Sequence, residues 1–302
     1  LLDLASHFRA QYVVLLLVSA LLAALVRWRA LVVVCIVAML VNVACVAPLF
    51  VARGVAVAAD PPPLRLLAFN VYTANPSRDA TISHVLNADA DLVLLQEVDT
   101  AWIEDLTLKA VGYRRVATHG RSDNFGITLL VREASEEALK IESARTFDIT
   151  GGAVDVPSVD AHLTWHGRRV ALLGLHTLPP VSPRIAAERN AQLIAAAQWV
   201  ERQDGDVIVI GDLNATPWCA PMRDLLDRTG LVNSIQGYGL GQTWPAGAAL
   251  AGIPIDHCLH SSDLVTLERT VADIEGSDHR ALHVTLGWAQ EQHIAVDESV
   301  SE

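Results

Sequence analysis

Six short polar clusters, each closing an apolar run, carry the side chains of this 302-residue chain that could do chemistry. They are Phe69-Asn70, Gln96-Glu97, Leu175-His176, Gly211 to Asn214 (GDLN), Ile255 to His257 (IDH) and Ser277 to His279 (SDH). Carboxylates and carboxamides are hard oxygen donors suited to a hard divalent cation, and imidazoles move protons near neutral pH. Together they supply what metal-assisted hydrolysis of a phosphate ester requires. Singly, each has a bland reading. Asp212 and Asn214 suit a strand-to-turn pair, Asn70 a turn, Glu97 a solvated strand end, His176 a hydrogen-bonded structural histidine, and Asp256-His257 and Asp278-His279 ordinary loops. The six in this order, all at strand ends, point to an enzyme.

The runs that position them read as buried strands. LRLLAFNV, ADLVLLQEV, RVALLGLHT and DVIVIGDLN are apolar stretches bounded by Pro, Gly, Asp or Asn, and such strands need cover on both faces. Residues 159–165 alternate instead, with Val159, Ala161, Leu163 and Trp165 on one face, and the HGRR turn at 166–169 returns them as a hairpin. Helices lie between the strands. The clearest starts at Ser182 as N-cap with Pro183 first and runs to about Arg202; others cover Asp79 to Asn87 and Pro221 to Gly230. Strands and helices interleave without strict βαβ alternation, and no GxGxxG or Walker loop is present, so the fold class is α/β, a mixed sandwich and not a Rossmann domain.

The first sixty residues differ in kind. Tyr12 to Val26 carries no charge, and neither does Ala30 to Val51; Arg27, Trp28 and Arg29 separate them. At roughly 1.5 Å per residue the second stretch spans about 33 Å, enough for a bilayer core of about 30 Å. The expectation is a transmembrane helical hairpin over 1–58, with helices at about 10–26 and 30–51. A Pro-rich linker follows at 59–63, then a catalytic domain at 64–288 and a flexible tail at 289–302. This makes a multi-pass protein of the cell membrane, with the lipid bilayer as a partner. The arginines of the tight turn place that turn in the cytoplasm and the catalytic domain outside it, although Arg9 and Arg53 flank the other side. A second reading is cleavage after the Ala56-Val57-Ala58 pattern, as for a signal peptide. The chain begins with Leu1, and a further segment upstream is compatible with that.

The net charge is −12, and four of the basic groups but only two of the acidic ones lie in the first sixty residues, so the remainder is more acidic still. A long polyanion is repelled by such a surface except where metal intervenes, which argues for a small or membrane-borne phosphate ester. Cys35 and Cys45, ten residues apart on one helix, cannot bridge. Cys219 and Cys258 either form a disulfide or remain two buried thiols; without a C-x-x-C or paired histidines, zinc is disfavoured.

The ordered set FN, QE, LH, GDLN, IDH and SDH resembles the endonuclease/exonuclease/phosphatase (DNase I-like) superfamily over about residues 64–287, and the preceding hairpin resembles a bacterial membrane-anchored branch of it. The resemblance implies a four-layer α/β/β/α sandwich of two mixed β-sheets and dependence on Mg2+ or Mn2+. It implies a phosphodiesterase, nuclease or phosphatase whose partner is a phosphate-ester substrate. By that resemblance Glu97 is the main metal carboxylate, with Asn70 beside it and Asp278 a second ligand. Asp212 orients or deprotonates the attacking water and Asn214 contacts the phosphoryl group. His279 sits beside the scissile phosphate, oriented by Asp256, and His176 contacts a phosphate oxygen or assists the leaving group.

Arg121, Asp123 and Asn124 line the cleft or form a plain polar loop. Thr243 and Trp244 form a wall beside the site, or Trp244 is a buried indole with a satisfied N–H. Arg184 and Arg189 are expected to be solvated or paired with neighbouring acids. His257 faces away from Asp256 and takes no catalytic role. The competing hypothesis is a membrane-tethered binding or scaffold domain that keeps the fold without activity. No basic helix or aromatic stacking run marks a nucleic-acid path, no long hydrophobic loop marks a lipid one, and nothing points to a protein partner.

Overall fold

The computed structural model describes residues 2–248 and 250–290. In chain order the elements open with α1 (Leu2–Ser6), α2 (Arg9–Leu25) and α3 (Arg29–Val46), then β1 (Leu64–Asn70), α4 (Arg78–Asn87), β2 (Leu92–Gln96) and α5 (Thr100–Lys109). Next come β3 (Tyr113–His119), β4 (Ile127–Arg132), β5 (Leu139–Asp148), β6 (Pro157–Trp165), β7 (Arg168–His176) and α6 (Pro183–Val200). The chain continues with β8 (Asp206–Asp212), α7 (Ala220–Thr229), β9 (Val232–Asn233), β10 (Asp256–His260), β11 (Leu264–Asp273) and β12 (Arg280–Trp288). Two six-stranded mixed sheets result, ordered β11-β12-β1-β2-β4-β3 and β5-β6-β7-β8-β10-β9.

Alternate side chains of a strand leave opposite faces, so an unbroken apolar run can serve two cores at once. In β1, Leu66 and Ala68 enter the core between the sheets, while Leu67 and Phe69 pack with Ile82 and Val85 of α4 and Trp102 and Leu106 of α5. In β7, Leu172 joins the inter-sheet core, and Ala171, Leu173 and Leu175 pack with Leu193, Ala196 and Trp199 of α6 and Met222 of α7. Three apolar layers thus glue four structural layers, and the expected α/β/β/α sandwich is the observed fold. Val159, Ala161, Leu163 and Trp165 of the alternating strand all enter the inter-sheet core. The helix signals also hold locally: Ser182 Oγ accepts from Ile185 N, and Gly230 ends α7 at φ +69°, a left-handed conformation glycine adopts without strain.

The N-terminal segment carries apolar helices at both expected positions. Among the described residues Arg29–Phe50, 22 residues long once the 3-10 turn Ala47–Phe50 is added, is the one helix long and apolar enough to cross a membrane; α2 is a shorter apolar helix packed beside it. Before α2, the short α1 docks on the sandwich, where Trp218 Nε1 donates to Ser6 O (2.8 Å) and His7 Nδ1 meets Thr216 Oγ1 (3.0 Å). At the other end, Ala289 N donates to Asp263 O and Gln290 N to Ala56 O, so these two residues still pair; the rest of the expected tail, 291–302, lies outside the described residues.

Candidate metal-dependent active site

Each sheet contains one parallel pair, β1/β2 and β7/β8, and both pairs end at the same edge of the sandwich. The register sets Asn70 beside Gln96 in the first sheet and His176 beside Asp212 in the second. An antiparallel strand starts at that edge in each sheet as well: β10 begins with Asp256, paired to Asp212, and β12 follows directly after His279. Six clusters scattered over the sequence are therefore gathered by topology alone.

The sheets approach closely there. Gln96 Nε2 donates to Leu175 O across the gap (3.1 Å), and a Cβ on Gly211 would lie 2.0 Å from Leu175 O and 2.5 Å from Gln96 Nε2. Gly211 also has φ +136°, so glycine is required on two counts. Glu97 (φ +62°) and Asn214 (φ +43°) hold left-handed conformations, which typically cost of order 1–3 kcal/mol for such residues and cluster where function fixes a side chain.

Asn70 is the hub of the cluster. Its Nδ2 donates to Glu97 Oε1 at 2.9 Å and lies 3.4 Å from Asp212 Oδ2 and 3.5 Å from His279 Nε2. His279 Nδ1 is 3.0 Å from Asp256 Oδ2, and its Nε2 is 3.7 Å from Asp212 Oδ2; His176 Nε2 reaches the same Asp212 oxygen at 3.6 Å. Burial opposes a charge on His279, but Asp256 and Asp212 outweigh it and hold the imidazole at about 10. Burial, then the His279 charge, pushes His176 down to about 3 and leaves it neutral. Burial and the Asp256 charge raise Asp212, whereas the His279 charge and hydrogen bond overcome burial to lower Asp256. Burial also raises Glu97, against the Asn70 hydrogen bond.

These groups open on a cavity of about 480 Å³. Glu97, His176, Asp212, Asn214, Asp278 and His279 line it, and Asn70 and Asp256 stand directly behind. Asn214 is held by Asp212 Oδ1 at its backbone N–H and donates its Nδ2 to Thr177 O. Asp123 and Asn124 line the cavity, while Arg121 is spent on Asp123 and Asp155. Trp244 is a cavity wall whose Nε1 donates to Asp278 Oδ2 (3.0 Å); its N–H is satisfied, but the indole is half-exposed and not the buried one of the alternative reading. His257 turns away, its Nε2 on Ala215 O.

Arg189 departs from its expected solvation. It is fully buried and donates Nη1 to Asn214 O at 2.5 Å, tying α6 to the GDLN turn, whereas Arg184 pairs with Glu188 on the exposed face as expected. Sequence reasoning also missed Phe125, which stacks against His176, and Leu4, His7 and Phe8, which wall the cavity from the N-terminal segment. Their signal was present only as an apolar residue after the Asp123-Asn124 loop and as polar His7 just before an apolar helix. Cys219 and Cys258 are both buried, and no disulfide joins them among the described residues.

The donor set fits a divalent metal. Four carboxylates, Glu97, Asp123, Asp212 and Asp278, line the cavity, and no Lys or Arg lines it among the described residues. Asp256 Oδ1 is buried without a protein partner. Asp212, Asp256 and His279 also offer ligand atoms within 4.8 Å of one another, but the bond between Asp256 and His279 occupies one atom of each. Oxygen-rich sites of this kind hold hard cations.

No curated protein matches the chain at a significant level. Among solved structures, D. rerio TDP2 complexed with single strand DNA product superposes at a TM-score of 0.61 with 18% identity, covering 74% of this chain and 99% of that one. A mannosyl-6-phosphatase of Bacteroides thetaiotaomicron superposes at 0.59 with 16% identity, covering 74% of this chain and 100% of the other. An endonuclease/exonuclease/phosphatase of Bacteroides vulgatus gives 0.61 at 16% identity, over 76% of this chain and 100% of the other. These likenesses establish the DNase I-like sandwich. The model of the Endonuclease/Exonuclease/phosphatase family matches residues 67–279, from the middle of β1 to the SDH cluster, and the chain is a member of that family of phosphate-ester hydrolases.

Proposed function

We propose that the protein is a membrane-anchored, Mg2+-dependent phosphoesterase, with Mn2+ as a substitute, that hydrolyses its substrate by in-line attack of water. The observation that carries this reading is His279, pinned at 3.0 Å to Asp256 and facing Asp212 at 3.7 Å, next to the Glu97 carboxylate. Glu97 and Asp278 would hold the metal, with Asn70 setting the Glu97 carboxylate; when bound, it supplies charge stabilisation for the phosphoryl oxygens and positions the ester. Asp212, whose carboxylate faces His279 Nε2 at 3.7 Å, aligns the water and takes its proton. The new bond joins water oxygen to phosphorus, the bond to the leaving oxygen breaks, and that oxygen is protonated from solvent. Charged His279 and the Asn214 side chain hold the equatorial oxygens, neutral His176 donates a hydrogen bond to one of them, and Asp256 keeps His279 oriented.

Arg29–Phe50 supports the anchor, with α2 as the second arm of the hairpin and the Arg27/Arg29 turn on the cytoplasmic side, which places the sandwich outside. The test is hydrolysis of bis(p-nitrophenyl) phosphate by the full chain in detergent. Activity that disappears with EDTA, returns with Mg2+ and is absent from Asp212→Ala supports the reading. A well-folded protein inert toward this and a panel of DNA, RNA, phospholipid and sugar phosphates would instead indicate the silent scaffold.

A further inference from the structure

The catalytic cavity is chemically two-sided. Metal-binding carboxylates and imidazoles form its floor, while Leu4, Phe8, Phe125, Val181 and Ile253 form an apolar wall. We propose that this wall holds the hydrocarbon chain of a bilayer lipid carrying a single phosphate group, with that phosphate at the floor; the proposal rests on the phosphoesterase reading above. The first argument is charge. A substrate with several phosphates needs several cationic partners, yet among the described residues no Lys or Arg lines the cavity, and the nearby Arg121 is already committed to Asp123 and Asp155. One phosphate can be met by one metal and His279; further anions would face Asp123 and Asp278.

The second argument is continuity with the apolar helices. Leu4 belongs to α1 and Phe8 directly precedes α2, so one wall of the site is built from the segment that leads into them. The first turn of α2 is fastened beside the cavity mouth, where Gln11 Nε2 donates to Gly252 O at 2.9 Å, one residue from the lining Ile253. Around it Val181 is 64% exposed and Leu250 94% exposed, and the outer faces of α2 and α3 show bare Leu15, Leu21, Leu22 and Val33. A soluble sugar or nucleotide has no use for such a path. A lipid can slide its chain along it without leaving apolar surroundings.

Binding of hexyl-, decyl- and tetradecylphosphonate to the full chain in lipid nanodiscs, with empty nanodiscs subtracted, tests the proposal. Each buried methylene strengthens binding, so Kd falls by at least about tenfold from the hexyl to the decyl member. Val181→Asp, at an exposed position that folding tolerates, flattens the series, as does Phe8→Ser. A series independent of chain length, a steep series that neither substitution changes, or tighter binding of a single-stranded oligonucleotide than of decylphosphonate overturns the proposal. The series is read without turnover, so a flat series beside active hydrolysis of bis(p-nitrophenyl) phosphate sinks the lipid proposal alone.

Discussion

The two sheets are built alike at the edge that forms the site, yet they contribute different chemistry. Each has a parallel pair ending there and antiparallel strands beginning there, β12 and β4 in the first and β10 and β6 in the second. The first delivers Asn70, Glu97 and Asp278, oxygen donors at or beside the cavity; the second delivers buried His176, Asp212 and Asp256 and half-buried Asn214. His279 breaks the division, since it leads into the first sheet but is held by Asp256 of the second. Under the proposed function a repeated strand arrangement serves once for metal and once for proton handling, with one histidine and the Gln96 to Leu175 bond coupling the halves. The halves should fail differently.

The largest expected effect separates them directly. Asp212→Ala, or His279→Ala, lowers kcat by about a thousandfold or more with near-normal metal dependence, because the lost group acts on the transition state. Glu97→Gln instead raises the Mg2+ concentration needed for half-maximal rate by about tenfold or more, with part of kcat recovered at saturation. Steady-state rates across a metal titration distinguish the two. Equal kcat losses with the same metal shift in both variants would show that the sheets do not divide the labour.

That division was partly legible in the sequence. The residues at the ends of β1, β2, β7 and β8 stand out because their strands are apolar on both faces, so any polar side chain at the tip is conspicuous. Edge strands carry no such contrast: β3 and β11 mix buried and exposed positions and each has a bulge, at Arg115/Ala117 and Thr266/Glu268, so neither period is clean. α5 was overlooked although Asp99 caps it and Trp102 and Leu106 recur at helical spacing. Arg189 misled for a different reason. A long arginine on an amphipathic helix is normally solvated, and the tertiary position of the Asn214 carbonyl, which accepts from its Nη1, helps make its burial favourable. The docking of α1 depends likewise on Thr216 and Trp218, more than two hundred residues away, a pairing that local patterns do not encode.

A middling effect is expected where the sheets touch. Gly211→Ala introduces a methyl within 2.0 Å of Leu175 O and 2.5 Å of Gln96 Nε2, at a φ that L-residues avoid. The neighbours are backbone and a committed amide, so the strand must shift; a loss of about 2–4 kcal/mol is expected, together with activity, since Asp212 is the next residue. Gln96→Ala, which removes one inter-sheet hydrogen bond, costs less, about 0.5–1.5 kcal/mol. Chemical denaturation of both variants checks the order. Gln96→Ala proving costlier would mean that the halves are joined by the bond more than by their close fit.

The smallest effect lies away from the edge, on the outer face of the first sheet. His283 of β12 and His84 of α4 meet there with Nε2 atoms 2.8 Å apart. Burial, then His84, pushes His283 down to about 4. The folded state therefore binds fewer protons than the unfolded chain between the ordinary histidine value of about 6.5 and about 4. Stability is full above that window and falls as pH drops through it. His283→Gln removes this titration, so its thermal midpoint should fall less steeply than that of the native chain between pH 7 and 4. His257 on the second sheet, also held near 4 by burial, remains in the variant and preserves part of the slope. An unchanged slope in His283→Gln would show that acid sensitivity resides in the second sheet, and the two halves would then differ in stability as well as in chemistry.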